Sequence, residues 1–128
     1  MQEPVVVVGA GAAGLWCAAR AAELGARVLL LEKTPRAGTK VLASGGTRCN
    51  LTTTLGPDEA ARLFGAAGER FLRAAFRTLP PRAVRERFAA LGVPTVEAPL
   101  EKVFPASQRA RDVRDALERW ARAGGVEF

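Results

Sequence analysis

Near the start of the chain, Gly9-Ala10-Gly11-Ala12-Ala13-Gly14 has the G-x-G-x-x-G spacing that brings a main chain against a pyrophosphate. Each glycine has its own task. Gly9 lets the chain turn tightly, Gly11 keeps a side chain out of the path of the phosphates, and Gly14 lets a helix pack closely on a sheet. An anion held there faces main-chain N–H groups and the positive end of a helix dipole. Glu32, 18 positions beyond Gly14, stands where a carboxylate accepts hydrogen bonds from a ribose 2′-hydroxyl. A carboxylate there also repels a 2′-phosphate, which disfavours NADP at this site.

A second string, Lys40-Val41-Leu42-Ala43-Ser44-Gly45-Gly46-Thr47-Arg48-Cys49-Asn50-Leu51-Thr52, mixes glycines that permit close main-chain approach with the donors Lys40, Ser44, Arg48, Asn50 and Thr52. That mixture suits phosphate and flavin-ring contacts, and a polar surface loop would have the same composition. Arg48 beside Cys49 would lower a thiol pKa, yet there is no C-x-x-C partner, so Cys49 reads as a packing residue, as does Cys17. The chain has no histidine and only two cysteines, which disfavours a zinc site and rules out a Ser-His or Cys-His catalytic pair within it.

These residues need a strand, a turn and a helix to position them. Val5 to Val8 is a β-branched run that predicts a strand buried on both faces, as in a parallel sheet. Ala12 to Leu24 is Ala-rich helix material stopped by Gly25, and the run Val-Leu-Leu-Leu to Leu31 predicts the parallel partner of the first strand. Together they make a βαβ unit. An acid normally precedes the glycines in the methyltransferase fold, where this chain has Val7 and Val8.

From Thr34 to Thr54 no helical or alternating period is visible, which predicts a functional loop. Helices are predicted over Asp58 to Phe64, Glu69 to Leu79 and from Pro81 to the stop at Gly92, with a short strand over Val93 to Glu97. Ser107 reads as the N-cap of a helix running to Ala123, with Val113, Leu117 and Trp120 on one face and Gly124 as its stop. Val126-Glu127-Phe128 resembles the beginning of a further parallel strand. The expectation is an α/β chain: a Rossmann-like βαβ FAD-binding unit with its flavin loop over 1–54, then a mainly helical segment over 55–128 that ends in a truncated strand. On this reading the 128 residues are the incomplete front part of a larger FAD/NAD(P)-binding fold and of a longer polypeptide.

Composition sets outer bounds. A chain of 128 residues, 48% hydrophobic and 25% charged, has the balance of a globular protein and the length to bury roughly two thirds of its unfolded surface. The net charge of +6 raises nucleic acid as a partner. However, the basic residues of Arg62 to Arg87 and Arg109 to Arg122 alternate with Glu69, Glu86, Asp112, Asp115 and Glu118, as on solvated helix faces, and no stacking aromatics interleave with them. Val5 to Ala19 fails as a targeting signal, because Glu3 and no basic residue precedes it and glycines interrupt it, and it is shorter than the ~20 residues of a membrane span. The expected setting is cytoplasmic, without membrane or nucleic-acid partners.

The fingerprint, Glu32-Lys33, Gly38 with Lys40, the Ser44-to-Thr52 string, and Val103-Phe104-Pro105 followed by Ser107 together resemble the two-dinucleotide-binding flavoproteins known as NAD(P)/FAD-dependent oxidoreductases of the aminoacetone-oxidase-like and bile-acid-dehydro-reductase-like type. That family usually has a third glycine where Thr47 stands and an Asn where Thr53 stands, and a Gly-Arg pair where this chain has Glu101-Lys102. The resemblance implies a protein about three times as long, with its FAD domain split by an inserted domain. Carried over by position, it implies that Gly9, Gly11, Ala13 and Gly14 meet the pyrophosphate, Glu32 the adenosine ribose, and Lys33 the adenosine. Lys40, Ser44, Gly45, Gly46, Arg48, Asn50 and Thr52 then lie toward the flavin.

The function expected is flavin-dependent oxidoreduction, with FAD doing the hydride chemistry, NAD(P)H as electron donor and a small-molecule substrate. No residue in the chain is a credible catalytic acid or base by itself. An NAD-binding dehydrogenase domain would use the same fingerprint but has no need of the Gly-Arg-Asn loop. A non-catalytic basic nucleic-acid module is the remaining alternative.

Overall fold

The computed structural model describes residues 3–128. In chain order the elements are β1 (Val5–Val8), α1 (Ala12–Glu23), β2 (Val28–Leu31), α2 (Thr39–Ala43), a 3-10 turn (Ser44–Thr47), β3 (Thr52–Thr53), α3 (Pro57–Arg62), α4 (Gly65–Thr78), α5 (Pro81–Ala90), β4 (Thr95–Ala98), β5 (Lys102–Pro105) and α6 (Ala110–Ala123). They form two compact units, one of residues 1–49 with 109–128, the other of residues 50–108.

In the first unit β1 and β2 pair in parallel, with Val5 opposite Val28 and Val8 opposite Leu31. Glu127 continues the sheet beyond β2 through a parallel bridge to Leu29, its N–H donating to Val28 O (3.0 Å) and its carbonyl accepting from Leu30 N–H (2.7 Å). Of Val126-Glu127-Phe128, Glu127 alone makes this isolated bridge.

The core lies where α1 and α6 meet the sheet. Leu15, Ala18 and Ala19 of α1, Val28 and Leu30 of β2, and Val113, Ala116, Leu117, Trp120 and Ala121 of α6 are all buried. The α6 residues recur at intervals of three and four, one helical stripe, and Trp120 meets Trp16 edge to face with ring centroids 5.1 Å apart.

Three expectations need correction here. β1 is not buried on both faces: Val5 and Val6 are exposed and Val8 is 82% exposed, because among the described residues β1 pairs only with β2. Cys17 is exposed, since it lies off the α1 stripe formed by Leu15, Ala18 and Ala19. The cap of α6 is Arg109, not Ser107; Gln108 turns the chain first, in a left-handed conformation (φ 60°) with its N–H on Pro105 O.

The second unit carries α3, α4 and α5 as expected, together with a sheet of which only β4 was expected. Its antiparallel sheet has the order β3-β5-β4, with Thr52 opposite Val103 and Ala98 opposite Lys102. Phe88, Val93, Val103 and Phe104 form its buried centre. Arg85 ties α5 to β4, its Nε donating to Thr95 Oγ1 (2.9 Å) and its Nη1 to Glu97 Oε1 (2.7 Å). The hairpin between β4 and β5 turns through Leu100 (φ 63°) and Glu101 (φ 53°), a left-handed pair without the glycine that normally announces such a turn.

Candidate functional site

The glycine-rich turn joins β1 to α1. Gly9 leaves the strand at φ 96°, a conformation open to glycine and costly for other residues, and its N–H closes the parallel ladder on Leu31 O (2.7 Å). A Cβ on Gly14 would overlap the carbonyl oxygen of Gly9, so glycine is required for helix and turn to touch. Gly11 is different. It caps α1 in an extended conformation with no side-chain hydrogen bond to the helix, and a Cβ there would meet nothing within 4 Å. The chain's own packing thus leaves Gly11 unconstrained. The space in front of it is open, and the helix brings no acidic residue to its first turn, so its first N–H groups present a ready anion site.

Glu32 follows β2 and folds back onto this turn. Its Oε2 accepts the Ala10 N–H (2.8 Å) and its Oε1 the Thr34 N–H (2.9 Å). These bonds, Thr34 first and Ala10 second, hold the carboxyl below its ordinary value because they favour the charged form. Ala10 is also held from the other side, its carbonyl accepting the Gly38 N–H (2.6 Å). Gly38 is left-handed (φ 71°), and a Cβ on it would strike the Arg114 Cγ. One buried residue, Ala10, thereby links the fingerprint to the acid and to the start of α2.

Sequence reasoning did not find Ala10, Thr34 or Arg114. The first two act through main-chain atoms that every residue carries, and Arg114 lies 82 positions beyond Glu32 with no motif around it. Beside Glu32 is a cavity of about 290 Å³, lined among others by Leu30, Thr34, Arg36, Arg114 and Phe128. Arg114 reaches Asp115 (2.6 Å) and Glu118 (3.9 Å) through its terminal nitrogens, while its buried Nε–H has no acceptor among the described residues. Such an orphaned donor fits a group with acceptor atoms.

The expected loop from Thr34 to Thr54 is more ordered than its composition suggests, containing α2, the 3-10 turn and β3. Gly45 and Gly46 are both left-handed, at φ 55° and 63°. The Ser44 hydroxyl donates to Val41 O (2.7 Å), and Ser44 O accepts the Cys49 N–H (3.0 Å). Cys49 is buried, which pushes its thiol pKa up, with a smaller opposing effect from Ser44. This agrees with a packing residue and not a reactive thiolate.

Lys33, Lys40 and Arg48 are exposed on the first unit, as is Ala13 on the first turn of α1. Asn50 and Thr52 belong to the second unit. There Asn50 Oδ1 accepts the Val103 N–H (3.1 Å), Leu51 N–H donates to Val103 O (2.8 Å), and Thr52 pairs with β5. Both positions at which a family glycine is replaced are left-handed, Thr47 at φ 70° and Glu101 at φ 53°.

Parallel strands joined through a glycine-rich turn and helix, with an acid at the end of the second strand, define a Rossmann-type α/β domain. The family model described as HI0933-like protein Rossmann domain matches residues 3–128. The chain belongs to that family, FAD-binding Rossmann domains of flavoprotein oxidoreductases.

Among curated relatives, it is 33% identical over 126 residues to the 3-dehydro-bile acid delta(4,6)-reductase of Clostridium scindens, covering 95% of this chain and 29% of that protein. It is 51% identical over 47 residues to the ribosomal RNA dihydrouridine synthase of Escherichia coli, covering 37% of this chain and 12% of that protein. The chain thus spans less than a third of the length of either. The crystal structure of THI4 from Thermovibrio ammonificans superposes with a TM-score of 0.63 at 18% identity, over 97% of this chain and 36% of that one, a likeness of fold.

Proposed function

We propose that residues 1–128 are the N-terminal portion of the FAD-binding domain of a flavin-dependent oxidoreductase. The observation that carries this reading is the open space in front of Gly11, at an uncapped helix N-terminus with the Glu32 carboxylate fixed beside it. Gly9, Gly11, Ala13 and Gly14 hold the pyrophosphate through main-chain N–H groups. Each Glu32 oxygen spends one lone pair on a main-chain N–H and keeps another for a ribose hydroxyl. Lys33 and the cavity that ends at Arg114 take the adenosine side. In the first unit we assign Lys40, Ser44, Gly45, Gly46 and Arg48 to the flavin; Asn50 and Thr52, in the second, are assigned to it by the sequence string alone. The left-handed Gly45 and Gly46 let the main chain approach a ring, and Asn50, whose carbonyl oxygen is engaged by Val103, has its amide N–H₂ to donate.

FAD, when bound, supplies two-electron hydride chemistry; the chain's own residues bind and orient it. The names of both relatives, a dihydrouridine synthase and a delta(4,6)-reductase, denote addition of hydrogen across a carbon–carbon double bond. Reduction of such a bond in a small molecule, with NAD(P)H as donor, is the reaction we assign to the whole protein.

The test uses protein expressed from the complete reading frame and loaded with FAD without oxygen. NADH or NADPH is expected to bleach the visible flavin bands, and an α,β-unsaturated ketone to restore them. Bands indifferent to both nicotinamides, or restored only by oxygen, would overturn the assignment.

A further inference from the structure

The cavity beside Glu32 lies wholly within the first unit. At about 290 Å³ it stands at the small end of the roughly 300–1,000 Å³ of sites that enclose a whole ligand, a size suited to one ring system of a larger molecule. Leu30, Pro35, Ala37 and Phe128 give it apolar walls. Glu32 and Thr34 line it too, so it adjoins the carboxylate assigned to the ribose.

The remaining lining residues are charged, and most are matched within the chain. Arg122 pairs with Glu118 (2.9 Å), and Arg36 is exposed to solvent. Arg114 Nη2 and Nη1 reach Asp115 and Glu118, which compensates the guanidinium charge. Its buried Nε–H, without an acceptor among the described residues, therefore calls for a lone pair and not for a further negative charge. An unmet buried donor is costly. The side chain is also held in place: its stem packs on Gly38, where a Cβ would strike Arg114 Cγ, and Gly38 is fixed by its N–H on Ala10 O (2.6 Å).

We propose that Arg114 reads the adenine base of the bound nucleotide, its Nε–H donating to a ring nitrogen while the purine lies against the apolar walls. A purine offers what this cavity lacks, flat apolar faces with uncharged nitrogen lone pairs at the edge. Because Nε is buried, the acceptor comes from the edge of the base that goes deepest. The assignment rests on the dinucleotide reading of the first unit, and it holds for FAD and NAD alike because both carry adenine.

Calorimetric titration of flavin-free protein from the complete reading frame, with ADP and with its 1-deaza, 3-deaza and 7-deaza analogues, tests it. The analogue that puts a C–H where Nε–H needs its acceptor binds about tenfold or more weakly than ADP, the loss expected for one hydrogen bond to a charged donor. Arg114→Lys keeps the charge and the stem against Gly38 but has a methylene in place of Nε. In that variant ADP binds as weakly as the sensitive analogue, and the difference between the two disappears. Arg114→Met gives the same result without the charge. A merely structural role would leave the difference in place. The proposal is overturned if all three analogues bind like ADP, or if the sensitive analogue stays weaker than ADP in both variants. Binding of NAD in place of FAD would refute the flavin reading and leave Arg114 on the base, whereas a protein that binds no ADP would refute the nucleotide reading and the role of Arg114 together.

Discussion

Gly11 and Gly14 lie three residues apart on the same turn, yet different neighbours require them to be glycine. Gly14 is crowded by Gly9 from within the chain, whereas nothing in the chain approaches Gly11. Gly14→Ala is therefore expected to destabilise the fold by about 2 kcal/mol or more through overpacking, seen as a lower urea midpoint. Gly11→Ala is expected to leave that midpoint unchanged while weakening FAD binding about tenfold or more, since a displaced phosphate loses hydrogen bonds worth about 1.5–3 kcal/mol each. A Gly11→Ala protein that binds FAD normally would remove the pyrophosphate from this turn.

The neighbouring acid makes a second residue-scale prediction. Glu32 is held below its ordinary pKa of 4.5, so the folded state favours its ionised form. The stability it contributes is fully present above that pH and is lost as pH falls through it to the lowered folded value. Glu32→Gln should be less stable than the parent at neutral pH, with the gap closing in acid. Urea midpoints against pH measure this, and parallel profiles would contradict it. The glycine spacing and Glu32 were legible because they form a local pattern. The partners of Glu32 were not, because the N–H groups of Ala10 and Thr34 are chemically ordinary until folding brings them to one carboxylate.

Elements were legible to the extent that their own residues determine them. The helix α1 follows from its Ala-rich composition and α6 from its periodicity, and α6 buries the expected face of Val113, Leu117 and Trp120, whereas Cys17 on α1 is exposed. The burial of β1 did not follow, because a run of valines reads alike whether one strand or two lie beside it. The β4–β5 hairpin was hidden by its turn, where Leu100 and Glu101 take left-handed angles that sequences usually mark with glycine. The turn after α2 has the same feature at Thr47. Left-handed angles cost an ordinary residue roughly 1–2 kcal/mol, so Thr47→Gly and Glu101→Gly should each raise the urea midpoint by a shift of that order. The two gains should add, as the changes lie in separate turns. Loss of stability in either variant would show that side-chain contacts, such as the Thr47 hydroxyl on Gly46 O (2.6 Å), outweigh the backbone cost.

At the scale of the molecule, the chain joins residues from its two ends in one unit and closes its middle into another, a division that composition does not mark because Arg-rich helices occur in both. The positive charge is largely absorbed locally, in pairs such as Arg73 with Glu69 and Arg122 with Glu118, and exposed pairs of this kind contribute little individually. No helix among the described residues is long and apolar enough to cross a membrane.

The central claim is that the first unit holds FAD, and the most direct measurement is the identity of the nucleotide that copurifies. Protein expressed from the complete reading frame should be yellow, and heat should release FAD as the single bound nucleotide on chromatography. Release of NAD from a colourless protein would contradict the account and return the fingerprint to a nicotinamide dehydrogenase.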